Sequence, residues 1–170
     1  MNRKTYDDSV AAMAASKNFL KDKYRPKACT VRIRTLKHPS DLKSYEGVTI
    51  ILVKSGRGTI VVNDEKIELN EGTCIVLHFF CFFKLIPDPQ EYLEILECYA
   101  PTANYHFAMM IPGSTIRSFE TSSGYVECIL RGKNYERALA RLNDMYQCKN
   151  LELQNIYFYE LLGHIESGMQ

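Results

Sequence analysis

The segment from Val48 to Leu85, VTIILVKSGRGTIVVNDEKIELNEGTCIVLHFFCFFKL, constrains the fold more than any other part of the chain. Short β-rich runs alternate with turn residues at Ser55-Gly56-Arg57-Gly58, Asn63-Asp64 and Asn70-Glu71-Gly72. Strands this short, joined by turns this tight, form an antiparallel meander, the pattern of a small barrel or sandwich. Val48 to Val53 is apolar almost throughout, which predicts a strand covered on both faces. Thr59 to Val62, Lys66 to Leu69 and Thr73 to Leu77 continue the meander. Phe79 to Ile86 and Tyr92 to Tyr99 read as a further pair, separated by Pro87-Asp88-Pro89-Gln90, whose two prolines stiffen the turn. Tyr105 to Ile111 and Tyr125 to Leu130 read as the last strands.

The flanks have other periods. Residues 6 to 22 carry Asp7-Asp8-Ser9 as a capping signal before an alanine-rich stretch, which predicts a helix closed by Tyr24-Arg25-Pro26. From Cys29 the period is two: Val31 and Ile33 share one face, Arg32 and Arg34 the other. After Gly132 it is helical. Asn134 can cap a helix with the stripe Tyr135, Ala138, Leu139, Leu142, Met145 and Tyr146. Asn150 can cap a second, apolar over a wide arc through Leu151, Ile156, Phe158, Leu161, Leu162 and Ile165. The chain divides into residues 1–27, a helix and linker; 28–132, the β unit; and 133–170, two helices.

With 170 residues and 46% of them apolar, one well-cored domain is expected. The 21 basic and 20 acidic residues leave a net charge of +1 and no basic footprint for nucleic acid. The cluster Lys21, Lys23, Arg25 and Lys27 reads as a solvated helix end. The six cysteines form no CxxC pair and mostly sit in apolar runs, as reduced core residues would. No signal peptide and no membrane-length apolar run occurs, so a cytoplasmic location without membrane association is expected.

The order of turns and strands resembles a cupin and, more narrowly, the sensor half of AraC-type transcription regulators. The resemblance covers roughly residues 28 to 165. It rests on Leu52 to Gly58, an apolar strand ending in Ser-Gly-x-Gly; on the hairpin Ile60 to Asp64; on Glu71-Gly72 leading into Thr73 to Leu77; and on the two trailing helices. It implies a mainly β fold, a cupin-like jelly-roll barrel with an N-terminal helix and two C-terminal amphipathic helices. It also implies an effector-sensing and dimerisation domain, a non-enzyme without cofactor. Its small-molecule effector would be held in the barrel, and its homodimer would be made by the helices. DNA would be read only by a helix-turn-helix segment absent here, so the chain is expected to be a fragment of a longer regulator or a stand-alone sensor.

Metal-dependent cupins carry His-x-His with a downstream Glu and a second His. Here His38, His78, His106 and His164 are dispersed, and Phe82 stands where the second-motif histidine would be. No metal site is expected; on one strand, Cys74 and His78 share parity but Cys81 does not. The alternative is a small cupin-fold enzyme, isomerase or dioxygenase-like, with non-standard ligands.

Candidate effector residues follow from side-chain type. Arg32 and Arg34 on one strand face can clamp a carboxylate or phosphate. Glu94 and Glu97 have opposite parity, so one faces inward, where it can pair with such an arginine. Phe80 and Phe82, in the aromatic block, would floor an apolar pocket. His78 and His106 would line a mouth. The expected dimer contact is Leu139, Leu142, Tyr146, Phe158, Leu161 and Ile165.

Overall fold

In the computed structural model, residues 27–109 and 123–169 are described. The predicted N-terminal helix lies outside them. Eight strands and three helices follow one another: β1 Thr30–Leu36, β2 Val48–Ser55, β3 Gly58–Val62, β4 Glu65–Leu69, β5 Thr73–Leu77, β6 Phe83–Pro87, β7 Leu93–Ala100, α1 Thr102–Met109, β8 Tyr125–Ile129, α2 Gly132–Gln147 and α3 Leu151–Met169. Two antiparallel sheets form, one ordered β1-β7-β2-β5-β8 and the other β4-β3-β6.

The larger sheet has a core on each face. Ile51, Val53, Ile75, Leu77 and Ile95 meet Ile60, Val62, Leu69, Phe83 and Leu85 of the smaller sheet. Residues of the other parity, Ile50, Leu52, Cys74, Val76, Leu96 and Cys98, meet the helices. Residues 48 to 53 of β2 are therefore all buried, as the uninterrupted apolar run predicts. The smaller sheet alternates as a strand with one wet face does: in β4, Ile67 and Leu69 are buried and the residues between are exposed.

The turns explain the topology. Asn63 (φ 47°) and Asp64 (φ 70°) are both left-handed, forming a two-residue loop of the twist that joins β3 to β4. Gly56 (φ 85°) has a second reason to be glycine: a Cβ there would lie 1.7 Å from the carbonyl oxygen of Tyr92. The strand predicted over Phe79 to Ile86 begins only at Phe83, because the chain changes sheets there. Phe80 is left-handed (φ 59°) and Cys81 N–H donates to His78 O, closing a turn between β5 and β6. The strand predicted from Tyr105 is instead α1, a correction within the described residues. Pro101 starts it: the backbone N–H groups of Asn104 and Tyr105 donate to Pro101 O. Asn104, Tyr105 and Ala108 then form a buried stripe at helical spacing.

Both sides of the sandwich are laced. Ser40 and Lys43 hydrogen-bond the backbone of β6 at Leu85 and Phe83. On the opposite side, the Tyr125 hydroxyl of β8 donates to the Glu65 carboxylate of β4. α2 packs over β1 and α3 over β8 and α1. The expected Asn134 cap is not used; α2 begins at Gly132 without a side-chain cap. The Asn150 cap is formed, with Asn150 Oδ1 accepting from Leu153 N–H at 3.0 Å. The buried Gln154 amide donates to Cys148 O at 2.8 Å, satisfying a carbonyl at the end of α2. Arg141 of α2 bonds Asp144 at 2.9 Å and Glu160 of α3 at 2.8 Å.

Candidate functional site

Among the described residues, Glu97 is the one buried charged residue. Leu93 and Ile95 point between the sheets, so Glu97, two residues on, does the same. Its side chain is 4% exposed and accepts from Arg34 Nη1 at 2.8 Å. Arg34 shares parity with Leu36, which belongs to the same inter-sheet core. Arg32, again on that face, is exposed and stands directly opposite Glu97 in the β1–β7 register. One guanidinium group thus pairs with the carboxylate at the edge of the sandwich, and Arg32 sits across from it in the strand register. A carboxylate buried without a partner is strongly disfavoured, and Arg34 supplies that partner.

Tyrosines stand beside the pair. Tyr99 follows Glu97 on the same face, and Tyr45 from the β1–β2 connection lies between Tyr99 and Phe83, with ring centroids at 5.3 and 5.9 Å. Burial, then the carboxylate of Glu46, pushes the Tyr99 phenol up. The phenol therefore stays neutral, as a hydrogen-bonding group. Thr49, opposite Tyr99, is buried. This edge offers two cations, one anion and tyrosine rings next to an apolar interior. Its charges and rings suit binding and orienting an amphipathic acid.

The other candidates are dispersed. Glu94 faces the helix side, where Ser55 Oγ (3.0 Å) and Lys54 Nζ (3.2 Å) hold its carboxyl below the ordinary range. His78 and His106 come together through Tyr105 and Phe79: the His78–Tyr105 and Phe79–His106 centroids are 6.0 and 5.9 Å apart. That cluster joins the β5–β6 turn to α1. Phe80 and Phe82 are 66% and 56% exposed, so they floor nothing; the turn aims them at solvent. Tyr45 and Tyr99 were not singled out from sequence as a site, whereas Glu97 is the inward-facing member of the Glu94/Glu97 pair. The signal for Glu97 was its parity with Leu93 and Ile95. An open cleft of about 570 Å³, lined by Arg57, Thr59, Glu68 and Asp88 among others, shares no residue with the charged edge.

The expected dimer residues divide. Leu142, Phe158, Leu161 and Ile165 are fully buried in the protomer's own core, so they are not available to a partner. Leu139 is half-buried and Tyr146 exposed. Leu153 and Ile156 of α3 are exposed apolar residues that sequence reasoning left out of the contact. Among the described residues, no three of His, Cys, Asp and Glu gather as metal ligands, and no helix is long and apolar enough to cross a membrane.

No family model and no curated protein matches the sequence. Solved structures do. ToxT from Vibrio cholerae, bound to (E)-4-(8-methylnaphthalen-1-yl)but-3-enoic acid, superimposes with a TM-score of 0.58 at 12% identity, over 83% of this chain and 57% of that one. The likeness shows a shared fold over most of this chain. Wild-type ToxT with an unsaturated fatty acid bound gives 0.58 at 9% identity, over 84% of this chain and 55% of that one. The chain therefore spans a little over half of the length of these ToxT chains. A cupin protein from Bacteroides fragilis matches more loosely, at a TM-score of 0.42 and 20% identity over 44% of this chain and 67% of its own.

Proposed function

We propose that this chain is the effector-sensing and dimerisation domain of an AraC-type transcriptional regulator, and that its effector is a carboxylic acid with an apolar body. One observation carries the reading: the Arg34–Glu97 pair, with Arg32 opposite, is turned toward an otherwise apolar inter-sheet space. A domain that only needs a core has no use for a charge there, since a hydrophobic pair of similar volume is often as stable. The ligands named for ToxT, a butenoic acid derivative and an unsaturated fatty acid, have this chemistry. In the proposed complex the carboxylate is held by the Arg32 and Arg34 guanidinium groups and the chain lies toward the apolar interior. The helices pair two copies through the outer surface carrying Tyr146, Leu153 and Ile156. Ligand binding affects DNA reading, by a domain beyond this one, to the extent that the acid prefers one helix arrangement.

The test is a thermal-shift and native mass-spectrometry series with fatty acids and their methyl esters. Acids should raise Tm and add their mass, esters should do neither, and Arg32→Ala should abolish the acid effect. Equal shifts with acid and ester, or an unchanged Arg32→Ala, would rule out the carboxylate clamp.

A further inference from the structure

Cys74 in β5 and Cys128 in β8 are directly opposed in the antiparallel register. Opposed residues share a sheet face, and both side chains pack in the helix-side core. The thiols are free and close enough to shift one another. Flanking ladder bonds fix their geometry: Leu130 N–H donates to Gly72 O and His78 N–H to Gly124 O, each at 2.8 Å. Cys74 is an even step from both Gly72 and His78, so Cys74 and Cys128 also occupy a hydrogen-bonded position. Cα atoms at such positions lie about 5.5 Å apart, within the roughly 4.4–6.8 Å that a disulfide spans.

The two thiols differ in access. Cys74 is buried, whereas Cys128 is half-buried on the sheet's edge strand. The neighbouring Cys74 thiol lowers Cys128, while Cys128 and burial raise Cys74. Cys29 also acts on Cys98 on this face, but the two are not opposed in the strand register. Burial pushes Cys29 up to about 12 and raises Cys98 as well, leaving neither as an attacking group.

We propose that Cys74 and Cys128 form a reversible cross-strand disulfide made by peroxide, with Cys128 attacking and Cys74 resolving. The Cys128 thiolate attacks one oxygen of hydrogen peroxide. The O–O bond breaks, and the departing hydroxide takes the proton released by the thiol and leaves as water. Cys128 is then a sulfenic acid. The Cys74 sulfur attacks the Cys128 sulfur; the S–S bond forms, the S–O bond breaks, and the hydroxyl leaves with the Cys74 proton as a second water. The thiols lose two electrons and the peroxide gains them. The bond fastens edge strand β8, which leads through Leu130 and Arg131 directly into α2.

The experiment treats the reduced 170-residue chain with hydrogen peroxide and follows its intact mass. The expected product is lighter by two hydrogens, is restored by dithiothreitol, and shows Cys74 linked to Cys128 in tandem mass spectra. Cys74→Val, apolar to suit its buried site, should stop at a Cys128 sulfenic acid that dimedone captures. Cys128→Ser, on the half-exposed edge, should slow peroxide consumption about tenfold. A disulfide between any other pair, oxygen gain without hydrogen loss, or Cys128→Ser reacting at the wild-type rate would overturn the assignment.

Discussion

The two faces of the larger sheet are built from the same strands and behave differently. Its helix face is apolar where α2 and α3 cover it, with Phe158, Leu161 and Leu142 at zero exposure. Its inner face is as apolar at the centre but ends in Arg32, Arg34, Glu97 and tyrosines. Alternation along one strand thus separates two tasks: Leu96 and Cys98 hold the helices, while Ile95 and Glu97 face the smaller sheet. The helix face maintains the fold. The inner face retains a charged edge that stability alone does not require.

The largest expected effect lies on the helix face. Phe158→Ala removes a fully buried ring and should cost about 3–5 kcal/mol in urea unfolding. A cost near zero would mean that α3 is not part of the core. On the inner face, Arg34→Ala leaves Glu97 buried without its cation. Because Arg34 is partly exposed, a loss of about 2 kcal/mol is expected, below that for a wholly buried pair. The double variant Arg34→Ala/Glu97→Gln should recover most of it. If the double variant is no better than the single one, the carboxylate is not the source of the cost.

The smallest effect sharpens the contrast through pH. Burial first, then Arg137, depresses His164 of α3 below its ordinary 6.5. The unfolded state then binds the proton more readily, so stability is full above 6.5 and falls as pH drops below it. Glu94, held down by Ser55 and Lys54, behaves as a depressed carboxyl: its contribution is present above 4.5 and is lost on further acidification. His164→Gln should flatten the stability profile just below pH 6.5 and leave the acidic limb intact. A profile unchanged by the substitution would remove His164 from the helix layer's pH response.

Much of the fold was legible because burial leaves a period in the sequence. The doubly covered Val48 to Val53 and the Asn63-Asp64 hairpin were readable, and so was β1 as a strand, although its burial does not alternate as expected and Ile33 is exposed. Where tertiary context dominates, the pattern failed. Tyr105 to Ile111 has strand-like side chains, yet Pro101 and the stripe Asn104, Tyr105, Ala108 make it helix through residue 109. Phe80 and Phe82 look like core, but the change of sheets imposes a turn that turns them out. The charged edge was half legible. Parity required one of Glu94 and Glu97 to face inward, but only the neighbours Leu93 and Ile95 decide which. Tyr45 arrives from a connecting segment, whose position no local period encodes. The dimer residues misled because the most apolar positions of α2 and α3 serve the protomer first.

Amide chemical-shift mapping during titration with an unsaturated fatty acid tests the effector site most directly. Perturbations should concentrate at Arg32, Arg34, Glu97 and Tyr99 and saturate with one ligand per chain. Shifts confined to the cleft around Arg57 and Asp88, or none at all, would contradict an acid-binding edge between the sheets.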